Sequence, residues 1–349
     1  MNYDTQFLRD FLGDVALIEN DPEHPLYNMI VGKKSGVKID YDFETIQMSF
    51  KYILNSKEKV LVNWLETTKK RLLRGDLKDK KAAVAEIIAC YSLSVAGFEV
   101  VPQKISSIST PDFLCKDTDG NEFIVEVYSR NFSDDAIQSI QKGRIALDDK
   151  IKKNDNKSGI YMEVTEVRPW GNSKDPCTED AISKVCAIKQ QERQLKDNIP
   201  SLIWVDIGIT GNFFLGGTGF IPPLNSFNTY ITSGHYWYGL YGKEGLPIFT
   251  HHYVELGYKI PPEMTKMQHD GRFVKSKQLS GMIFRFEGAE VLFENPASNN
   301  PIQNATRIRM LKLPHFKLEH SLANFYPNMV EEQNAVFEKY ILSFSEKTR

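Results

Sequence analysis

The apolar positions of this chain change period along its length, and each change marks an element. Between Phe43 and Leu73 they recur at helical spacing, with Val60, Trp64, Leu65 and Leu72 on one stripe, and a break is expected near Asn55 to Lys57. Gly75 is the expected stop. A second helix is predicted from Asp79 to Ala96, ended by Gly97. Its segment AAVAEIIACYSLSVAG has little polar face, which predicts a helix buried on all sides. After it the period shortens. FEVVP, PDFLCK and EFIVEVYS read as strands, and the last two flank DTDGN, whose Asp119-Gly120 predicts a hairpin turn. SLIWVDIG is nearly all apolar, the mark of a strand covered on both faces.

The remaining stretches are less regular. Residues 131 to 178 read as a polar, partly helical insertion with a further strand at GIYMEV. A helix is expected from Glu179 to Lys196, ended by Asn198 and Pro200. Residues 211 to 280 are rich in Gly, Pro and aromatics and show no clean period. MIFRFEGAEVLF predicts another hairpin, turning near Glu287-Gly288. NPASNNP is an irregular loop, and Asn328 to Phe344 a terminal helix. Helix, strands, crossover helix and buried strand, in that order, predict an α/β fold whose mixed sheet is flanked by helices and carries a right-handed crossover. The expected organisation is an N-terminal helical region over 1–75, a core over 76–210, and a C-terminal α+β extension over 211–349 packing on that core.

Composition narrows the function classes. The chain has 349 residues, 41% hydrophobic and 25% charged, an ordinary globular composition. The formal net charge of −2 gives no global positive field, which speaks against a passive nucleic-acid coat but leaves room for an enzyme with a local basic groove. No apolar stretch reaches membrane-spanning length, and the N-terminus lacks the basic start and apolar run of a signal peptide. Cys90, Cys115, Cys177 and Cys186 show no CxxC spacing, which argues against zinc and a disulfide framework and fits a reducing cytoplasm.

Candidate chemistry starts at the hairpin. With its turn centred near Asp119, Asp112 falls roughly opposite Glu126, and directly opposed residues lie with Cβ atoms ~5 Å apart. Two like charges there destabilise the pair unless a hard divalent cation sits between them. A register shift, or one side chain facing solvent, is the structural alternative. Glu86 is the only charged residue between Lys81 and Glu99, flanked on its helical face by Ala82, Ala83, Ala89 and Cys90. A lone buried carboxylate is costly unless it is paired or bound to metal. The bland account is a nearby Lys or Arg, or a solvent gap.

Glu86 in AEIIACYSLSVAGFEV, Pro111-Asp112 in TPDFLCKDTDGNEFIVEVYS, and Glu126 on the next strand, followed by KVCAIKQQERQLK and SLIWVDIG, resemble the PD-(D/E)XK nuclease superfamily over about residues 80 to 208. The resemblance implies a restriction-endonuclease-like core and metal-assisted phosphodiester hydrolysis of nucleic acid, DNA first, in bacterial defence or restriction. It implies Mg²⁺, with Mn²⁺ as a substitute, held by Asp112, Glu126 and the Val127 carbonyl, with Glu86 acting directly or through water. Symmetric double-strand cutting would call for a homodimer.

One position departs from the family pattern: Tyr128 stands where the motif lysine belongs. Residues 126 and 128 point to the same side of a strand, and a tyrosine hydroxyl brings no permanent positive charge. Three readings stay open. The lysine has migrated, as it does in similar nucleases, with Lys189 and Lys184 as surrogates; Tyr128 orients the water itself; or the site is inactive. Gln190, Gln191 and Gln194 are candidates to orient a water or phosphate, against the commoner alternative of a solvated helix face.

Weaker signals add little. The basic groups Lys69, Lys70, Arg71 and Arg74, Lys142 to Lys157, and Arg272, Lys275 and Lys277 suit phosphates but are more often solvated faces. His235, His251 and His252 lack the HExxH spacing of zinc hydrolases, and LGGTGF lacks the GK[ST] of a phosphate cradle. Two competitors to a nuclease remain: a nuclease fold that has lost catalysis and binds DNA or a protein partner, and an unrelated α/β enzyme or interaction protein.

Overall fold

The computed structural model describes residues 6–27, 29–31, 41–103, 110–129, 134–153, 182–183, 185–189, 194–196, 198–207, 226–228, 231–232, 235–245, 267–286 and 288–317. In chain order the main elements are α1 Gln6–Leu12, α2 Ala16–Glu19, α3 Tyr41–Leu54, α4 Lys59–Arg74, α5 Leu77–Val95, β1 Glu99–Pro102, β2 Phe113–Lys116, β3 Glu122–Ser129, α6 Asp134–Lys153, β4 Ser201–Asp206, β5 Ser226–Asn228, β6 Ile231–Thr232, α7 His235–Tyr241, β7 Gly281–Phe286, β8 Ala289–Glu294 and α8 Asn304–Met310. The chain divides into two compact units. The first comprises Met1–Arg130, Lys189–Gly216 and Lys275–Pro327, and the second Asn131–Ile188, Gly217–Val274 and Asn328–Arg349. No described helix is long and apolar enough to cross a membrane.

The first unit is a mixed α/β body around one open six-stranded sheet, ordered β1-β2-β3-β4-β7-β8. Strands β1, β2 and β3 run antiparallel in succession. β4 then pairs parallel to β3, β7 parallel to β4, and β8 antiparallel to β7. Two of the six strands therefore come from beyond residue 210. The burial of β4 on every residue explains its apolar run, since it has neighbours on both edges and cover on both faces. Gly288, at φ +67, makes the tight β7–β8 turn that an L side chain would strain.

Helix α5 is the hub. Ala83, Val84, Ala85, Ile87, Ile88, Ala89, Cys90 and Leu93 are all fully buried, so the helix is enclosed on every face. It packs against α3, α4, β1 and β3. Asp76 caps its N-terminus by accepting from the Asp79 N–H at 2.8 Å. At the other end Gly97, at φ +91, turns the chain into β1. Trp64 of α4 meets Phe113 of β2 edge-on with centroids 5.5 Å apart, and Phe98 meets Phe123 at 5.0 Å. The break between α3 and α4 falls after Leu54, where the polar stretch predicts it.

In the second unit, α6 is a 20-residue helix, and β5 and β6 form a two-stranded antiparallel sheet. Ile182, Cys186, Trp237, Tyr238 and Met267 form a small core. Gly239 is required there, because a Cβ at this position would stand 2.5 Å from the Val185 Cβ. The buried Arg272 donates from Nε to the Ile188 carbonyl at 2.8 Å.

The helix predicted over Glu179 to Lys196 is corrected. Helical turns occur among Ile182, Ser183, Val185 and Cys186, but Lys189 has φ +46 and Gln194 to Lys196 are not helical. A left-handed residue cannot continue a right-handed helix, because its carbonyl no longer points along the axis. GIYMEV, LGGTGF, His251, His252, Cys177 and the terminal helix at Asn328 to Phe344 lie outside the described residues.

Candidate active site

The site begins with turn chemistry. Asp117 Oδ1 accepts from the backbone N–H groups of Asp119 and Asn121, each at 2.9 Å, and its Oδ2 accepts from Thr306 Oγ1 at 2.7 Å. Gly120, at φ +86, closes the turn. This fixes the β2–β3 register at Phe113 opposite Val125. Extending it by one residue places Asp112 opposite Glu126, so the two share a side of the hairpin. Asp112 lies just before β2, where its Oδ2 accepts from the Val127 N–H at 2.7 Å. The side chain thus takes the place of a ladder partner at the point where β2 has ended.

Glu126 is buried, at 2% exposed, and faces away from the apolar layer formed by Val125 and Val127. Its Oε1 accepts from Lys189 Nζ at 2.5 Å. Its Oε2 is buried with no hydrogen-bond partner among the described residues. Lys189 also reaches Gln194 Oε1 at 3.4 Å, and Gln194 Nε2 donates to the Thr110 carbonyl at 3.0 Å, beside Pro111. Lys189 is the one non-glycine residue with positive φ among the described residues. Backbone held in that region costs on the order of 1–2 kcal/mol and persists where surrounding contacts demand it. Tyr128 lies two residues beyond Glu126, half-buried on the same side of β3.

Glu86 enters from α5. Arg71 on α4 holds it in a two-point clamp, Nη1 to Oε2 at 2.6 Å and Nη2 to Oε1 at 2.9 Å, while Arg71 Nε reaches Asp79 Oδ1 at 2.9 Å. The sequence leaves Arg71 between a phosphate contact and a solvated face, and a nearby Lys or Arg as the alternative partner of Glu86; Arg71 is that partner. The overlooked signal is that Asp79 and Glu86 are seven residues apart, two helical turns, so they present one face to the neighbouring helix. The other basic residues of that group behave differently: Lys69 is tied to the Phe11 carbonyl and ring, and Lys70 and Arg74 are exposed.

Glu86, Asp112 and Glu126 act on one another electrostatically. Burial, then Glu126, raises the Asp112 carboxyl to about 7. Burial raises Glu86 to about 7, with Asp112 adding to the effect against Arg71. Glu126 is also raised, by burial first and by Glu86, with the Lys189 ammonium and the Gln194 amide opposing. Among the described residues no three His, Cys, Asp or Glu side chains gather as a ready metal-binding group. Two protein cations stand among the carboxylates. Lys184, Gln190 and Gln191 lie outside the described residues.

A stability prediction follows from these shifts. A carboxyl whose folded value lies above its unfolded one keeps a proton that the unfolded chain has lost, so folding loses stability as pH rises between the two values. For Asp112 that window runs from 3.8 to about 7, and for Glu86 from 4.5 to about 7. The difference in Tm between Asp112→Asn and the unsubstituted chain, both in chelator, should therefore grow in the variant's favour from pH 5 to pH 8. A difference that is constant, or that shrinks, would show that Asp112 is not crowded. Matched against protein-family models, curated proteins and solved structures, the chain finds no counterpart in any of the three.

Proposed function

We propose that this chain is a metal-dependent nuclease that hydrolyses phosphodiester bonds, of DNA first, on a restriction-endonuclease-like core. The observation that carries the reading is the Glu126 carboxylate: buried, paired to Lys189 through one oxygen, with the other oxygen buried without a hydrogen bond among the described residues, and set across the hairpin from Asp112 by the strand register. An acceptor left so is costly to bury, and a hard cation is the partner that suits carboxylate oxygens.

The residues fit such an ion. Asp112 and Glu126 would hold it. In a strand the N–H and C=O of one residue point the same way, so the Val127 carbonyl faces the side on which its N–H meets Asp112 and is a third donor. When bound, the ion lowers the pKa of a ligated water and offsets charge on the phosphate. The chain's own residues supply the rest. Lys189 brings the positive charge that Tyr128 lacks and keeps Glu126 in place. Gln194, anchored on Thr110, holds Lys189 toward the site. The left-handed backbone at Lys189 is in keeping with a residue held for function.

The test is incubation of the purified chain with supercoiled, linear and single-stranded DNA and with RNA, in Mg²⁺ and in Mn²⁺. The expected result is nicking or cutting of DNA that chelator stops. Binding of DNA without cleavage in either metal moves the reading to an inactive nuclease fold, which Tyr128 and the protein cations already on Glu86 and Glu126 favour. Neither binding nor cleavage removes nucleic acid altogether. Within the nuclease reading, Lys189→Met should lower cleavage by about 10²-fold, and Tyr128→Phe by less than about tenfold. The reverse order would assign the tyrosine, not the lysine, to the chemistry.

A further inference from the structure

Arg71 faces the site from the helix preceding α5. Its three nitrogens are all engaged, two on Glu86 and one on Asp79. Both oxygens of Glu86 are therefore already filled by a cation of the protein's own. A guanidinium presents its donors in a rigid planar fork that matches a carboxylate edge. The clamp is part-buried, with the Glu86 side chain 9% exposed. Asp79, at 41% exposed, sits at the solvent end and is screened.

The charge balance points to how many ions the site accepts. Glu86, Asp112 and Glu126 contribute three negative charges when ionised, and Arg71 and Lys189 return two positive ones. One divalent ion turns the single excess negative charge into a single positive one, which one phosphodiester then neutralises. With Arg71 present a second divalent ion would bring the balance to three positive charges, against two in its absence, and would have to displace a two-point clamp to find ligands.

Resting on the metal-dependent reading above, we propose that Arg71 limits the site to one divalent cation, held by Asp112 and Glu126, by keeping both oxygens of Glu86 on the guanidinium. Arg71 is a positioning residue by this account. It holds Glu86 away from the ion and adds fixed positive charge that acts on Asp112. This separates the three motif carboxylates into two that bind metal and one that binds protein.

The experiment is a titration of the metal-free full chain with MnCl2, following heat by calorimetry and free Mn²⁺ by electron paramagnetic resonance, with no substrate and no activity readout. The unsubstituted chain should take up one ion. Arg71→Gln should take up two, because Glu86 is released. Arg71→Gln with Glu86→Gln conserves the net charge of the site, replaces the clamp by a neutral pair, and, with its fold checked by circular dichroism, should again take up one ion, with Kd within about threefold of the unsubstituted chain. Two ions in the unsubstituted chain overturn the inference and leave the nuclease reading standing. Loss of the first ion in the double variant also overturns it, because Glu86 would then be a ligand of that ion. One ion in a folded Arg71→Gln overturns it as well. No ion in any of the three proteins removes the metal-dependent reading itself.

Discussion

For the proposed nuclease, Asp112→Ala and Glu126→Ala should each lower metal-dependent DNA cleavage by about 10³-fold or more, in a plasmid-nicking assay at saturating Mg²⁺. The expectation follows from the pairing of the two carboxylates across the hairpin and from the unpartnered Oε2 of Glu126. Removing either leaves the ion one carboxylate, and Lys189 without its place if Glu126 is the one removed. The assay gains force from stability measured alongside it. Asp112 is crowded by burial and by Glu126, so its removal should not unfold the chain. Loss of cleavage with an unchanged or raised Tm in chelator is the signature of chemistry and not of folding. Retention of more than a tenth of the activity by either variant would end the assignment of these two residues.

Arg285→Met should destabilise the chain by about 3–5 kcal/mol at neutral pH, read as a shift of the urea midpoint. Asp206 on β4, Arg285 on β7 and Glu290 on β8 are register neighbours across three strands, and all three are at most 1% exposed. Arg285 Nη1 lies 3.1 Å from both oxygens of Asp206. Glu290 accepts from Ser92 Oγ at 2.7 Å and from the His315 N–H at 3.2 Å, which ties α5 to the far edge of the sheet. Without the guanidinium, the buried Asp206 carboxylate loses its ion pair and the buried Glu290 loses a neighbouring positive charge. The cost arises from the stranded charges, not from lost packing, so adding Asp206→Leu to Arg285→Met should recover most of it. A single substitution that costs less than about 1 kcal/mol would mean that water or another group compensates the carboxylates.

The sequence by itself determined what depends on neighbours along the chain. Alternation and the Asp119-Gly120 turn set the hairpin and its register, and with them Asp112 opposite Glu126, because a strand's period of two leaves little freedom once the turn is fixed. The apolar enclosure of Glu86 marked α5 as buried, and the unbroken apolar run of β4 marked a central strand. Pairings between distant stretches were decided only by the tertiary structure. Arg71 looked like one more surface base until α4 and α5 lay side by side, since a guanidinium carries the same letters whether it meets water or a carboxylate. Lys189 reaches Glu126 from 63 residues away, and it does so from a left-handed residue that ends the predicted helix, which periodicity cannot foresee. The hairpin over Gly281–Glu294 was legible as a hairpin, but its place beside β4 was not, because the edge a strand joins is set by which neighbour best buries its faces and satisfies its backbone, not by any pattern within the strand.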